Sequence, residues 1–552
     1  MADVGRYWNT IRHLKPIQVY GRVWFRIVRP RVDLSPAPPS RPLDGTWVSV
    51  AERPASMLGP QQFRFLNDRR DLDKHGWDDP GLDKLWRYHL HYFDDLNAHD
   101  AAVRVDWHRA LLKLWVRENL PAIGTAWEPY PTSLRIVNWI KWALQGNVLP
   151  QECAQSLAVQ TRWLSRRVEA HLLGNHLFVN GKALVFAGLY FDGPEAERWM
   201  RRGLRILSAQ VPEQILGDGG QFERSTMYHA LALEDMLDLC NVWRAYPTAI
   251  GSRWQPTLAA CGKVVGRMRA WLTAMTHPDG EIGLFNDAAM GIAPSPAALE
   301  QYASRLGLPP QYGTSRPLTE LGESGYIRVE HGPAVAMLDV GPVGPDYLPG
   351  HAHADTLSFE LSVFGQRVLV NSGTSRYGAD AERLRQRGTA AHNTVVIDGN
   401  DSSDVWSAFR VARRARPSGL EVFCNEGIIV RCAHDGYQRL PGRPKHARQW
   451  SFNASALVVS DTLSGGVRHA QARFHLHPAI AVREIRSDDQ GGVAHLVLPE
   501  GRRIGFSVQG GRLRQQRTTW HPEFGVTEPN VCLAVDFAGL ALRTELRWHV
   551  AP

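Results

Sequence analysis

Two histidines separated by one residue, His351 and His353, are the part of this sequence where chemistry is easiest to see. They follow Leu348-Pro-Gly and precede the alternating, β-prone segment from Thr356 to Phe364. If the His-Ala-His piece is already extended, both imidazoles point to one face of a sheet, because strand side chains repeat every two residues. Two imidazoles at a strand entrance bind a metal, move a proton, or do one of each. An isolated pair of this kind is more often a surface feature beside a turn.

Three further clusters combine glycine with polar side chains at the start of a predicted helix or strand. They are Gly174-Asn175-His176, the run from Asp218 to His229, and the run from Gly388 to Asn393. Asparagine before a helix is by itself a common N-cap. In the second cluster, Arg224 and Tyr228 are four residues apart, so on a helix they share one face. A nearby guanidinium lowers the pKa of a phenol, which can then act as an acid or a base.

The composition is typical of a soluble globular protein. The 552 residues are too many for one ordinary core and predict two or three domains, and 44% hydrophobic with 21% charged residues excludes a disordered chain. A net charge of +8, carried mostly by arginine, suits carboxylate, sulfate or phosphate groups. The sequence has no helix-turn-helix, zinc-finger or RNA-binding motif, so nucleic acid is not an expected partner.

The location of the protein is predicted from features that the sequence lacks. Its six cysteines form no CxxC pair and are interpreted as reduced, structural thiols. The first residues show no cationic stretch followed by an apolar one, and no window approaches 18 uninterrupted apolar residues. We expect a cytoplasmic protein without a membrane span, or a periplasmic one if a leader was removed. The oligomeric state stays open.

The character of the sequence changes near residue 310. Before it, apolar residues and tryptophans recur at helical spacing, which favours helical hairpins stacked into a toroid or solenoid. Such segments are Trp107–Trp115, Ser133–Trp142 and Glu234–Trp243. After it, short β-prone runs split by Gly, Asp and Pro favour an antiparallel β-sandwich.

These patterns predict three regions. They are a basic, proline-containing N-terminal lead over 1–45, a helical domain over 46–310 and a β-domain over 318–552. The segment from Leu306 to Pro317 is predicted to connect the last two. A long cleft is expected between the helical domain and the β-domain.

In order and spacing, the polar clusters resemble those of the heparinase II/III polysaccharide lyases. The resemblance covers nearly the whole chain, from the region of Lys15 to Trp24 through to Asn393. It implies an incomplete α/α toroid followed by an antiparallel β-sandwich. It also implies β-elimination on a polysaccharide that contains uronic acid.

This reaction requires three groups. One neutralises the uronate carboxylate, a base removes the C5 proton, and an acid protonates the departing glycosidic oxygen. By resemblance, Asn175 is the neutralising group, Tyr228 is the acid and in syn elimination also the base, and His351 is an additional base or charge stabiliser. His176 and Arg224 are candidate neighbours that tune these groups.

The resemblance further implies a structural zinc ion and no organic cofactor. The corresponding ligands are His353, His392 and the residue at position 371. Where the family often has a ligating aspartate, this sequence has Asn371, and a neutral amide is a poorer zinc ligand than a carboxylate. If present, zinc is expected to pin loops of the β-domain to the cleft and not to activate water.

Candidate substrate-binding residues come mainly from the helical domain. Trp127 and Tyr130 offer aromatic stacking, and Arg135 and Asn138 are three residues apart, so both can face one groove. Arg387 adds positive charge for an acidic polymer. The pair of His446 and Arg448 is a further source of such charge.

Two other functions remain open beside the lyase. One is a non-catalytic glycan-binding protein associated with the synthesis or export of an exopolysaccharide, and the other is a metal-dependent hydrolase. The presence of Asn175, Tyr228 and His351 favours the lyase, because a pure binding protein has no need of eliminating groups. The polymer itself is left open, since heparin or heparan-like chains, alginate and bacterial exopolysaccharides all present a uronate.

Overall fold

The computed structural model of the chain describes residues 4–251, 254–311 and 316–549, so residues 312–315 of the predicted connection lie outside the described residues. A helical region is followed by antiparallel sheets, which confirms the predicted fold class. The helices are α1 (Val4–Ile11), α2 (Pro16–Ile27), α3 (Leu72–His75), α4 (Lys84–Tyr92), α5 (Val105–Glu118), α6 (Pro129–Leu144), α7 (Gln151–Arg166), α8 (Gly174–Tyr190), α9 (Pro194–Gln214), α10 (Thr226–Ala245), α11 (Gln255–Ala274), α12 (Pro296–Arg305) and α13 (Ala381–Arg387).

Helices α8 and α9 approach each other closely because glycine lines their contact. A Cβ on Gly203 would lie 2.5 Å from the carbonyl oxygen of Gly181, and one on Gly188 would lie 2.5 Å from the amide nitrogen of Met200. Neither position has room for a side chain. This close approach fixes α8, whose first turn carries Asn175 and His176.

The strands follow the helices along the chain. They are β1 (Met57–Gly59), β2 (Gln62–Phe65), β3 (Asp68–Asp71), β4 (Leu318–Leu321), β5 (Tyr326–His331), β6 (Ala334–Asp339), β7 (Phe359–Val363), β8 (Gln366–Leu369), β9 (Val395–Ile397), β10 (Val405–Trp406), β11 (Arg410–Val411), β12 (Pro417–Cys424), β13 (Ile428–His434), β14 (Lys445–Asn453), β15 (Ala456–Ser464), β16 (Ala470–His475), β17 (Ala481–Ser487), β18 (Gly491–Val497), β19 (Arg503–Gln509), β20 (Arg512–Trp520), β21 (Glu528–Phe537) and β22 (Ala541–Trp548). The described order has two exceptions, since β1 to β3 lie between α2 and α3, and α13 lies between β8 and β9.

The β-domain is a sandwich. One layer is an eight-stranded sheet in the order β12-β13-β14-β15-β22-β19-β18-β17. The sheets β4 to β8 and β20-β21-β16-β9 form the other layer, and a bridge between Leu369 and Leu476 joins them. Side chains alternate between buried and partly exposed along β14, as expected where one face of a strand covers a core. Trp450 of β14 packs edge-on against Phe359 of the opposite layer, with ring centroids 6.2 Å apart.

The polar pair His446 and Arg448 lies inside this sandwich, so the expectation that it offers charge to an acidic polymer is wrong. Both side chains are fully buried and contact Asp461 on the neighbouring strand β15. His446 Nε2 and Arg448 Nε each lie 2.7 Å from the Asp461 carboxylate, and Arg448 also donates to the carbonyl oxygen of Leu357. The group ties the two layers together.

Residues 4–45 pack against both domains. Gln18 of α2 donates to the carbonyl oxygen of Tyr347 at 3.0 Å, and Arg41 donates to that of Leu189 at 3.0 Å. The predicted limits of the N-terminal lead and of the two domains stay predictions. Among the helices that the structure describes, none combines the length and the apolar character needed to cross a bilayer.

We expect Asp461→Ala to lower the free energy of unfolding by about 3–5 kcal/mol, because Arg448 keeps its buried charge without the carboxylate. Urea denaturation measures this. Burial alone raises the pKa of Asp461, but the Arg448 charge and the His446 hydrogen bond lower it to about 2. The stabilisation is therefore present above the ordinary carboxyl value of 3.8 and is lost as the pH falls toward 2. The exposed Asp489→Ala is the control, and an equal effect of both variants would contradict the prediction.

Candidate active site

A cavity of about 710 Å³ lies between the helical domain and the β-domain. Its helical wall comes from α4, α6, α8 and α10, and its opposite wall comes from loops of the β-domain. The predicted residues that line it are Tyr130, Asn138, Asn175, His176, Tyr228 and His351. Residues distant in sequence thus meet in one cleft.

The first turn of α8 presents Asn175 to this cavity. The chain enters the helix through two left-handed residues, Leu173 at φ 62° and Gly174 at φ 54°. A Cβ on Gly174 would lie 2.5 Å from Cδ2 of Leu348, so a larger residue there would be strained and would displace that side chain. Asn175 is half-buried, and none of the described residues hydrogen-bonds its carboxamide. This amide is therefore free to donate to an anionic ligand.

His176 is the second polar group of this turn. Its Nδ1 lies 3.2 Å from Oε2 of the buried Glu169, and its ring packs against Tyr130 at 4.6 Å. Burial lowers the pKa of His176, but the charge of Glu169 and its hydrogen bond outweigh this and raise the pKa above 6.5. His176 is thus held as a cation to a higher pH than an ordinary histidine.

Tyr228 lies in the first turn of α10. Ser225 caps this helix, since its hydroxyl accepts from the backbone N–H of Tyr228 at 3.2 Å. Arg224 precedes the cap with φ 60°, and its guanidinium donates to the carbonyl oxygen of Ser324 at 2.8 Å. The prediction that Arg224 and Tyr228 share a helix face is wrong, because the helix begins only at Thr226. Arg224 does not line the cavity.

The phenol of Tyr228 faces two aromatic neighbours. Its hydroxyl lies 3.0 Å from that of Tyr377, and its ring packs on His351 with centroids 4.1 Å apart. Burial raises the pKa of Tyr228 well above 10, and Tyr377 raises it further. The free site therefore holds Tyr228 as a neutral phenol, the form that donates a proton.

His351 and His353 lie in a loop and not on a strand, since β7 begins only at Phe359. The expected shared strand face is therefore absent, and the two rings meet instead at one carboxylate. His351 Nδ1 lies 2.8 Å from Oδ2 of Asp287, and His353 Nε2 lies 2.9 Å from Oδ1. Arg383 donates to both oxygens of the same carboxylate, with Nη2 at 2.6 Å from Oδ2.

Asp287 sets the tautomer of His351. Burial alone raises the pKa of Asp287, but the Arg383 charge and the hydrogen bonds from both histidines lower it well below 3.8. The anion accepts the Nδ1 proton of His351, so Nε2 is unprotonated in the neutral ring. This Nε2 lies 3.8 Å from Oε2 of Glu223, whose pKa is raised by burial. His351 can therefore accept a proton on the cavity side.

The three predicted zinc ligands meet but do not converge on one point. His353 Nδ1 lies 3.3 Å from His392 Nε2, whereas Asn371 Oδ1 lies 3.3 Å from the other ring nitrogen of His392. No group of three His, Cys, Asp or Glu side chains in the described ranges is arranged to hold a metal ion. A tetrahedral site needs one nitrogen of each histidine aimed at the same centre. The three side chains instead hydrogen-bond to one another in a row.

Three predicted substrate-binding residues are in the core and not in the cavity. Trp127, Arg135 and Arg387 are at most 3% exposed. Arg135 donates to Gln160 and to the carbonyl oxygen of Ala126, and Arg387 donates to that of Ala352. Their hydrogen bonds hold loops in place, so the predicted contact with substrate is wrong for these three.

Several lining residues were not found from the sequence. Tyr377 and Phe524 come from loops without a periodic pattern. Tyr88 and Tyr92 extend the aromatic surface of Tyr130, with centroids 6.5 and 6.0 Å from it. Tyr88 and Tyr92 are four residues apart and so share one face of α4. This spacing is the sequence signal that could have found them.

Most cations at the cavity are already paired. Lys182 lies 2.7 Å from Asp235 and 2.5 Å from Asp238, and Lys141 lies 2.5 Å from the same Asp238. The other two pairs of this kind are Arg53 with Glu234 and Lys84 with Glu128. The cavity therefore carries little uncompensated positive charge.

Comparison with known proteins identifies relatives of this chain. A heparin-sulfate lyase of Bacteroides stercoris is 24% identical over 339 residues, which are 57% of this chain and 47% of that protein. FtsZ-localized protein C of Caulobacter vibrioides is 26% identical over 321 residues, which are 54% and 52% of the two chains. The matched part thus spans about half the length of these curated relatives.

Solved structures share the fold. The crystal structure of heparinase III has a TM-score of 0.67 at 19% identity and covers 83% of this chain and 76% of its own. A chondroitin AC lyase of Streptomyces coelicolor, in complex with chondroitin sulphate, has a TM-score of 0.51 at 13% identity and covers 90% and 77%. At these identities the likeness concerns the fold alone.

Two family models match successive parts of the chain. The model of the heparinase II/III N-terminus matches residues 122–307, and the heparinase II/III-like C-terminal model matches residues 313–549. Together they cover well over half of the sequence and both of its domains. The chain belongs to the heparinase II/III family.

Proposed function

We propose that this protein is a polysaccharide lyase that cleaves a uronate-containing polymer by β-elimination. The observation that carries the proposal is one cavity with a free amide, a neutral phenol and an oriented imidazole. These groups belong to Asn175, Tyr228 and His351. Membership of the heparinase II/III family supports the reaction class, and the geometry of the cavity supports a role for each of the three residues.

The carboxylate of the substrate binds at the first turn of α8. Asn175 donates to it through its free carboxamide, and the His176 cation adds a charge-assisted hydrogen bond. Withdrawal of carboxylate charge acidifies the C5 proton and stabilises the enolate-like intermediate.

Proton transfer then follows from the two stacked rings. His351 Nε2 takes the C5 proton, the C4–C5 double bond forms, and the bond from C4 to the glycosidic oxygen breaks. Tyr228 donates its phenolic proton to that oxygen. The imidazolium on His351 is stabilised by Asp287 behind it and by Glu223 beside it. After the product leaves, His351 releases its proton to solvent, and solvent restores the proton of Tyr228 by way of the Tyr377 hydroxyl.

The paired cations favour a polymer with few sulfate groups. Each sulfate needs a cation that is not already neutralised, and Lys141, Lys182 and Arg53 are bound to carboxylates. Asn175 and His176 can bind one uronate carboxylate at each cleavage site. A lightly sulfated or unsulfated exopolysaccharide therefore suits this cavity better than heparin.

A second candidate is a non-catalytic glycan-binding protein associated with exopolysaccharide synthesis or export. The relative from Caulobacter vibrioides is named for its localization with FtsZ and not for lyase activity. The assay below distinguishes the two functions.

We expect far-ultraviolet absorbance of an unsaturated uronate to rise when the purified protein meets its polymer. Tyr228→Phe and His351→Ala should each lower kcat by at least about 10²-fold, because each removes a proton-transfer group. The panel pairs heparan sulfate with its desulfated form and includes alginate and unsulfated bacterial polymers. Desulfated chains should be cleaved faster.

The exposed Tyr20→Phe is the matched control and should retain activity. Glycan binding without absorbance on every polymer would reject the lyase and leave the binding protein. Preference for the fully sulfated chain would reject the substrate class alone.

The charge of His176 gives a pH dependence. Its pKa is raised, so KM should be low while His176 is a cation and should rise as the pH increases through that value, above 6.5. A charge-assisted hydrogen bond is about 1 kcal/mol stronger than a neutral one, so the rise is about fivefold. His176→Asn should show a high KM with no such rise. A wild-type KM that stays constant between pH 6 and about 9 would contradict this role.

We also propose that His353, His392 and Asn371 form a metal-free chain of hydrogen bonds. His353 Nε2–H donates to Asp287, so its Nδ1 accepts from His392 Nε2–H. His392 Nδ1 then needs a donor, and Asn371 Nδ2, which is buried and unpartnered, supplies one if the amide is turned over. An aspartate at this position could not donate.

We expect chelation by EDTA to change the melting temperature by less than about 1 °C, because no ion holds these loops. Asn371→Asp should lower the free energy of unfolding by about 1–3 kcal/mol in a metal-free buffer. The new carboxylate and His392 Nδ1 are both acceptors, and neither supplies a proton to the other. Thermal unfolding measures the melting temperature and the loss of stability, and elemental analysis measures bound metal. Stoichiometric zinc in the wild type, with a large loss of stability after its removal, would contradict the proposal.

A further inference from the structure

The two N-terminal helices turn their apolar faces away from the protein. On α2, exposed side chains recur at helical spacing, and Trp24 is 67% exposed. On α1, Trp8 is 61% exposed, and no residue of this helix is buried. The complete apolar set is Val4, Tyr7, Trp8, Ile11, Val19, Tyr20, Val23, Trp24 and Ile27.

The faces that contact the protein are partly polar. Gln18 is 4% exposed and donates to the carbonyl oxygen of Tyr347, and Thr10 accepts from Trp406 Nε1 at 3.1 Å. Phe25 packs on His171 at 4.5 Å and lies under the Arg167 guanidinium. A surface helix normally places its polar face outward. The reversed orientation leaves an exposed apolar face on each of the two helices, and such a face needs a partner.

Charge identifies the kind of partner. From residue 4 to residue 32 the sequence has no Asp or Glu and has seven basic residues, namely Arg6, Arg12, Lys15, Arg22, Arg26, Arg29 and Arg31. Tryptophan and tyrosine prefer the boundary between headgroups and hydrocarbon, and arginine is attracted to anionic headgroups. Exposed apolar faces among basic side chains describe an interfacial membrane helix.

We infer that the helix pair of residues 4–27 docks this protein on an anionic lipid surface. The apolar faces enter the headgroup region while exposed basic residues such as Arg26 and Arg29 contact lipid phosphates. Two others, Arg6 and Lys15, already lie beside Asp404 and Glu213. Helices of eight and twelve residues are too short to span a bilayer, so the attachment is peripheral. A second copy of the chain is a poorer occupant, because it would bring the same positive charge against itself.

The position of the helix pair gives this docking a consequence. Arg22 of α2 lines the cavity, while its neighbours Val23 and Trp24 point outward. Docking therefore holds the cavity close to the headgroups, where a polymer attached to the membrane or crossing it is within reach. The inference about lipid binding does not depend on lyase activity.

Vesicle flotation of the full chain tests it. The probes are phosphatidylcholine vesicles and vesicles in which a third of the lipid is phosphatidylglycerol. At about 0.1 M salt, binding to the anionic vesicles should exceed binding to the neutral ones by at least about tenfold, and it should weaken toward 1 M salt.

Two double variants separate the apolar contribution to vesicle binding from the electrostatic one. Trp8→Ser with Trp24→Ser removes apolar anchors, and Arg26→Glu with Arg29→Glu reverses charge outside the cavity. Each should lower vesicle binding at least about tenfold, while cleavage of a soluble polymer and the melting temperature stay unchanged. The matched control is Phe423→Ser with Leu540→Ser, two exposed apolar residues of the β-domain that should bind vesicles like the wild type.

Three outcomes would overturn the inference. They are no flotation with either vesicle, equal flotation with neutral and anionic vesicles, and equal losses in the control and tryptophan variants. Light scattering adds a fourth outcome. A dimer that dissociates when Trp8 and Trp24 are replaced, without vesicle binding, would make a second copy the occupant of this surface.

Discussion

The buried carboxylate of Asp287 is the interaction on which the site depends. It accepts from His351, His353 and Arg383, and its own backbone is held from both sides. Its N–H donates to the carbonyl oxygen of His351, and its carbonyl oxygen accepts from Ser225, the residue that caps α10. One residue thus fixes the helix that carries Tyr228 and the loop that carries His351. The 4.1 Å contact between those two rings follows from it.

A buried anion is stable only when its charge is compensated, and here Arg383 supplies the compensation. Because Arg383 already provides a full positive charge, the charge of Asp287 is compensated without a charge on either histidine. His351 thereby keeps an empty nitrogen toward the cavity, as a base requires. The same guanidinium lies 5.0 Å from the ring of Tyr377, the hydroxyl partner of Tyr228. The base and the acid of the proposed reaction are both positioned through the Asp287–Arg383 pair.

The sequence predicted those elements that have a strong period. The helical segments around Trp107, Ser133 and Glu234 lie in α5, α6 and α10, and the short runs after residue 318 are strands. Spacing alone did not tell which helix face meets the cavity, so Arg135 was expected beside Asn138 and is buried in the core. Arg224 was misplaced because the next residue, Ser225, caps the helix, which begins only at Thr226. Asp287 and Tyr377 lie in loops, where no periodic pattern marks a residue and only the folded chain reveals its partners.

The positive charge of the chain is also distributed differently from what its total suggests. A net charge of +8 is a reason to expect an acidic polymer in the cleft, yet the lysines of the cleft are paired with carboxylates. The seven basic residues between positions 4 and 32, with no acid among them, account for nearly all of the surplus. The cleft thus holds little unpaired positive charge, whereas most of the excess charge lies in the segment of residues 4–32, which also exposes Trp8 and Trp24. In the proposed reaction, recognition of the polymer in the cavity therefore depends on the hydrogen-bonding groups of Asn175 and His176 and not on a general attraction for polyanions.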